Sequence, residues 1–210
     1  MSLLTVNLFD YPEVPHVRRH GPRDYLDYKH YKPWLRDEFS FRCVYCLCRE
    51  TWFPDGEAYF GCDHVLPRSR STAGVSTYDD LVYACGMCNA CKKDFPEALD
   101  FGAVALAEHL EALPDGTIRA LSRWGEALVD VCALNRSDLV AFRRDMRMLL
   151  DVLAKRRGVA AAHLRKRFLG YPDDLPDLGT LRPPGGNSRP EGIAACCFER
   201  RQRGELPDSY

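Results

Sequence analysis

The chain has 210 residues, of which 46% are apolar and 28% charged, and its formal net charge is −1. This composition describes one compact domain or a small core with appendages, and it excludes a disordered or collagen-like chain. A near-zero total charge neither favours nor opposes a polyanionic partner, so the distribution of charge along the chain has to decide. Nothing approaches the run of about 20 apolar residues that spans a bilayer. Met1 to Asp10 lacks the basic start and apolar stretch of a secretory leader. The expectation is a soluble, cytoplasmic protein.

Four regions follow in order. Residues 1–42 form a basic and aromatic N-terminal extension. Its bases Arg18, Arg19, Arg23, Lys29, Lys32 and Arg36 face only Asp24 and Asp27 between positions 16 and 36. Tyr25, Tyr28, Tyr31 and Trp34 recur every three positions, which predicts a helical stripe that Pro33 ends. Two readings stay open here. The aromatics pack on the rest of the protein, or they join the bases against a nucleic-acid backbone.

Residues 43–95 hold seven of the ten cysteines. Cys43-x-x-Cys46 and Cys85-x-x-Cys88 are matched half-sites, each a turn that aims two thiolates at one ion. Together they make a closed, structural four-cysteine zinc site. Without an export signal, such pairs read as metal ligands before disulfides. Cys48 and Cys91 sit close enough in sequence to compete as ligands, and Cys62 is spare. Between the half-sites, residues 58–65 read as a strand ending at Asp63-His64, Pro67 to Thr77 as a polar loop, and Leu81 to Cys85 as the returning strand. A helix carrying Asn89 and Lys92 follows.

Residues 96–168 read as helical. One helix is expected within Ala103–Leu113 and a second from Ser122 to Leu134. The third runs from Asp138 to Arg157, with Leu139, Phe142, Met146, Leu149, Leu150 and Leu153 inward. Ser137 is the expected N-cap of that helix and Gly158 its stop. Arg143, Arg144 and Arg147 lie on its opposite face, either solvated or against DNA. This region is the second basic block, with ten Lys/Arg between Arg136 and Arg167. Residues 169–210 are rich in Pro and Gly and read as a loose tail. Cys196 and Cys197 are left unassigned.

The run Cys43-x-x-Cys46 … Asp63-His64-Val-Leu-Pro67-Arg-Ser69 … Asp80-Leu-Val-Tyr-Ala-Cys85-x-x-Cys88-Asn89-x-x-Lys92 resembles the HNH endonuclease motif over about 50 residues. More weakly, Asp115-Gly-Thr-Ile118 … Gly125 … Leu134-Asn-Arg136 … Arg143 is similar to a segment of small stand-alone bacterial HNH proteins. The resemblance implies an α+β chain with a ββα-metal core, stapled by the zinc site and flanked by helices. It implies His64 as general base, because imidazole titrates near neutrality. It also implies Asp63 and Asn89 as hard oxygen ligands of a catalytic Mg2+ or Mn2+ that stabilises the leaving 3′ oxygen. Products would carry a 5′ phosphate and a 3′ hydroxyl. Arg68, Arg70 and Lys92 are candidate phosphate contacts.

Two points of tension come with the resemblance. Adjacent Asp63 and His64 would leave a regular strand on opposite faces, so it implies a strand that ends and bends there. Asp80 stands where the family commonly has Asn; a carboxylate accepts the same hydrogen bonds but donates none.

Two function classes fit these features. One is a metal-dependent DNA endonuclease of low sequence specificity, acting alone, as a homodimer, or with a partner such as an ATPase in antiviral defence. The other is a non-catalytic zinc module that binds nucleic acid or protein.

Overall fold

The structure, a computed structural model, describes residues 8–65, 77–92 and 101–210. It mixes helices with two small antiparallel hairpins. The first hairpin pairs β1 (Phe60–His64) with β2 (Leu81–Cys85) in the register Phe60↔Cys85 to His64↔Leu81. All five residues of β2 are buried, as a strand covered on both faces must be. A turn at 43–48 lies against it. Leu47 N–H donates to the Cys43 carbonyl (2.9 Å), Cys43 N–H to the Cys48 carbonyl (2.9 Å), and Val44 N–H to the Tyr83 carbonyl (3.0 Å).

Before this hairpin comes α1 (Lys32–Glu38). Pro33 starts this helix instead of ending one. Proline's missing N–H costs nothing in a first turn, and its fixed φ suits one. The aromatic stripe therefore divides, with Tyr28–Tyr31 in a 3-10 turn and Trp34 in the helix. Its rings face inward or half inward, with Tyr31 and Trp34 fully buried.

Helix α1 also buries Arg36, Asp37 and Glu38, and each is paired. Arg36 grips Glu50 through Nη2–Oε1 (2.6 Å) and Nε–Oε2 (3.2 Å), and the Tyr83 hydroxyl donates to Glu50 Oε2 (2.5 Å). Asp37 holds the buried His20 ring (2.9 Å) and accepts from Cys197 N–H (2.7 Å). Glu38 accepts from the Arg19 and His20 N–H groups (2.8 and 3.0 Å), the Tyr78 hydroxyl (3.0 Å) and the His16 ring (3.0 Å).

After the first hairpin come α2 (Gly86–Lys92), β3 (Leu110–Ala112) and β4 (Ile118–Ala120). The helix expected within Ala103–Leu113 is instead a 3-10 turn, Leu106–Glu108, running into β3. Helix α3 (Arg123–Val131) is capped by Ser122, whose side chain accepts from Gly125 N–H (3.0 Å). Gly125 lets α3 approach the backbone that leads into β3, since a Cβ there would meet the His109 carbonyl at 2.1 Å.

Helix α4 spans Ser137–Lys155, so Ser137 is its first residue and not its cap. Its expected apolar face is inward, but Arg143 is not outward. It is 1% exposed and donates to the carbonyls of Gly116 (3.0 Å) and Leu134 (3.0 Å). Arg147 leans over the Phe9 ring. Gly158 (φ 104°) turns the chain into α5 (Val159–Leu169), a helix with no apolar stripe to announce it.

The C-terminal segment is built in, not loose. Besides α6 (Glu191–Ala194) and α7 (Cys197–Gln202), it pairs Pro22 with Asn187. Tyr210 stacks on Tyr171 at 4.4 Å, beneath the guanidinium groups of Arg42 and Arg49. Among the described residues, no helix is long and apolar enough to cross a membrane.

Burial alone would raise the Glu38 carboxyl. The hydrogen bonds from His16 and Arg19 N–H, with the charges of His20 and His16, outweigh it and hold the carboxyl at about 2 against an ordinary 4.5. A depressed carboxylate contributes stability that is complete above the unfolded value and lost as the pH falls through the folded one. Unfolding free energy should therefore drop by about 3 kcal/mol between pH 4.5 and 2 through this group. Denaturant titrations of wild type and Glu38→Gln across that range should show a shallower acid slope in the variant.

Candidate metal centre and polar cluster

The four sulfurs of Cys43, Cys46, Cys85 and Cys88 lie within 4.8 Å of one another, all buried. Each pair sits where the backbone reverses: the first in the 43–48 turn, the second where β2 gives way to α2. All ten cysteines are free thiols. A tetrahedron with metal–sulfur bonds of about 2.3 Å separates its sulfurs by about 3.8 Å. Cys46 and Cys85 stand 3.8 Å apart. The donor set therefore fits a structural metal such as zinc.

The protons of this cluster are shared. Hydrogen bonds from Cys43, Cys46 and Cys88 pull the Cys85 thiol far down. Cys43, raised chiefly by burial, and Cys46 and Cys88, bound up in the same sulfur network, are pushed well above the ordinary thiol value. A buried thiol cluster of this kind binds a divalent cation as thiolates, releasing its remaining protons. Cys48 is also buried beside this cluster, while Cys91 lies half-buried on α2.

Next to the cluster, on β1, stands Asp63, 5% exposed. The Tyr45 hydroxyl donates to its Oδ2 (2.5 Å), and Lys92 Nζ lies 3.3 Å from Oδ2 and 3.4 Å from Oδ1. Lys92 also donates to the His64 carbonyl (2.6 Å). Burial pushes the Asp63 carboxyl above its ordinary value, and Lys92 and Tyr45 pull against that rise. Lys92, expected at a phosphate, is itself 5% exposed and turned inward. Sequence reasoning missed Tyr45 because nothing about an aromatic inside a CxxC turn marks its hydroxyl as a carboxylate partner.

His64 leaves the hairpin on the other face. Its ring stands edge-on to Tyr28 at 4.7 Å, and Cys62, two residues earlier, contacts the Tyr28 carbonyl. The bend expected at Asp63-His64 is absent. Pairing stays regular through His64↔Leu81, and Val65 N–H still donates to the Asp80 carbonyl (2.8 Å). Asn89 is half-buried on α2, one turn before Lys92 and so on the same side of that helix. Asp80 closes a capping box with Thr77, accepting from its hydroxyl (2.7 Å) and its N–H (3.1 Å). Arg68 and Arg70 lie outside the described residues.

The purified protein should carry one zinc per chain by elemental analysis. Metal binding at such a centre is folding free energy. Cys85→Ser, or a strong chelator, should release the metal and abolish the cooperative thermal transition. A variant that keeps a wild-type melt without metal would remove the structural role. No protein-family model, curated protein or solved structure matches the chain, so the chemistry and placement of these side chains carry the functional reading.

Proposed function

We propose that the chain is a metal-dependent endonuclease of the HNH type, hydrolysing phosphodiester bonds of DNA where β1 meets α2. The observation that carries this reading is the juxtaposition of Asp63 with the α2 face bearing Asn89 and Lys92, beside a four-cysteine cluster and one residue from His64. Asp63 and Asn89 offer hard oxygens that suit Mg2+ or Mn2+. When bound, that cation polarises the phosphate and stabilises the departing oxygen. His64, at the end of β1, takes the proton of the attacking water. His64 and Asp63 project to opposite faces of β1, a separation that the nuclease reading has to bridge at the strand end. The Lys92 ammonium already stands on both Asp63 oxygens, so Lys92 and the cation compete for one carboxylate.

A second reading is favoured by the same contacts. Asp63, Tyr45 and Lys92 form a closed, buried polar network, as a non-catalytic zinc module would have. Plasmid cleavage with Mg2+, Mn2+ or EDTA separates the two. On the nuclease reading, wild type nicks or linearises DNA with metal. His64→Ala loses at least about a hundredfold, the usual worth of a general base. Intact DNA in every lane, from zinc-loaded protein, supports the module.

Lys92→Ala gives a readout independent of activity. It leaves the Asp63 charge buried without its partner, which should cost about 3 kcal/mol. On the nuclease reading, millimolar Mn2+ restores much of the lost melting temperature by taking the place of Nζ, and Asp63→Asn removes that rescue. A variant indifferent to Mn2+ supports the closed network.

A further inference from the structure

The two basic blocks of the sequence meet different fates in the fold. In the first, Arg18 donates to the carbonyls of Leu81 (2.6 Å) and Asp79 (3.1 Å) and lies over the Phe39 and Tyr78 rings. Arg19 is bound to Asp37 and to the Glu38 carbonyl, Lys32 to Glu57, and Arg36 to Glu50. Those four charges hold the protein together, while Arg23 and Lys29 are exposed. In the second block, Arg143 and Arg147 turn inward as well.

The junction of α4 and α5 is different. From residue 152 to 172 the chain has six Lys/Arg and no Asp or Glu. Lys155, Arg156, Arg157, Lys166 and Arg167 are all exposed. The sixth, Arg165, serves as a clip, donating to the carbonyls of Leu153 and Arg156 (both 2.9 Å). That clip satisfies orphan carbonyls at the C-terminal end of α4 and fixes α5 against it. Among the described residues, the ion pairs of the second block are Arg136–Asp138, Arg144–Asp145 and Lys166–Asp173. The last is exposed on both sides, so solvent leaves it little strength.

We propose that the α4–α5 elbow is a docking surface for the phosphate backbone of duplex DNA, separate from the polar cluster at Asp63. The proposal rests on the nuclease reading only for the choice of DNA as the polyanion. Charge complementarity carries it: among the described residues Lys155, Arg156, Arg157 and Arg167 are exposed and in no ion pair, and Lys166 has only its solvent-exposed pair with Asp173. Its spacing also fits. Lys155–Arg157 stand before the first turn of α5 and Lys166–Arg167 in its last, so the helical stretch from Val159 to Lys166, about 10 Å at 1.5 Å per residue, lies between them. The major groove is about 12 Å wide, so the two clusters can meet phosphates of opposite strands. Between them α5 exposes Ala160 and Ala162, which leave the helix free to approach the duplex.

The test is fluorescence anisotropy with a labelled duplex of arbitrary sequence, about three helical turns long, using zinc-loaded full-length protein with millimolar Mg2+ omitted so that no strand is cut. K155A/R156A/R157A should weaken binding at least about tenfold at low salt and flatten the log-affinity against log-salt slope by about 3. K166A/R167A should flatten it by about 2. All five positions are exposed, and melting curves confirm that each variant folds. R123A/R182A/R203A, which removes as much charge from other exposed positions, should change affinity less than about threefold.

The proposal is overturned if wild type does not bind the duplex or if the control set weakens binding as much as the elbow sets. Binding to phosphatidylserine vesicles with none to DNA overturns it in favour of a lipid surface. The outcomes also separate from those of the nuclease reading. Elbow-dependent binding with no cleavage under Mg2+ leaves the elbow standing and the nuclease fallen. Cleavage that the elbow variants retain in full, with unchanged binding, does the reverse.

Discussion

Four sulfurs confined to a sphere a few ångströms across set the geometry of everything around the hairpin. They come from two backbone reversals 39 residues apart, Cys46 and Cys85 being the near pair. Closing that loop costs chain entropy, which a metal–thiolate centre repays in folding free energy. Once closed, the centre leaves few choices. The 43–48 turn must lie along β2, where Val44 N–H finds the Tyr83 carbonyl, and that places Tyr45 over Asp63. Cys88 anchors the start of α2, and Lys92 one turn later reaches the same carboxylate. The polar cluster is thus a consequence of the sulfur cluster.

A second constraint joins this centre to the ends of the chain. Helix α1 carries Arg36, Asp37 and Glu38 into the interior in succession. Three adjacent charges on a helix cannot share one partner, so each recruits a different part of the protein. Arg36 takes Glu50 beside the hairpin, Asp37 takes His20 and the Cys197 amide, and Glu38 takes two N-terminal amides and the Tyr78 hydroxyl. A buried ion left unpaired costs several kcal/mol, so these contacts hold strongly even though each net gain is modest. They explain how segments poor in apolar residues are nevertheless fixed in place.

This also explains what could and could not be read from the sequence. The CxxC half-sites, the two strands between them and the helix with Asn89 were legible, because ligand spacing and alternation are local patterns. The Ser122 cap and the inward face of α4 were legible for the same reason. Pro33 was misjudged, since a proline ends one helix or starts another, and only the following residues' burial decides. Arg143 looked like part of a solvated face because its partners, the Gly116 and Leu134 carbonyls, belong to other elements. Helix α5 lacks a stripe to detect. The C-terminal segment seemed loose because its order comes from scattered contacts with distant groups, such as Asn187 with Gly21 and Leu175, Cys197 and Tyr210 with Phe41, which no periodicity encodes.

The near-neutral total charge conceals a division of labour that only the fold makes visible. Cations with low exposure are committed to particular acceptors, and Lys92 is the instructive case. A lysine after a CxxC pair suggests a phosphate ligand, yet here its ammonium is enclosed by three oxygens, two from Asp63 and one from the His64 backbone. Such an enclosure is chemically close to a hard-cation site, since carboxylate and carbonyl oxygens are also what Mg2+ selects. The pocket holds the tethered ammonium, and a divalent ion entering it would compete with the chain's own lysine. Under the nuclease reading, Asp63 and Asn89 would be the residues to hold the cation, and a substrate phosphate would offer Lys92 a new partner. On that reading Lys92 acts as the link between substrate arrival and cation binding.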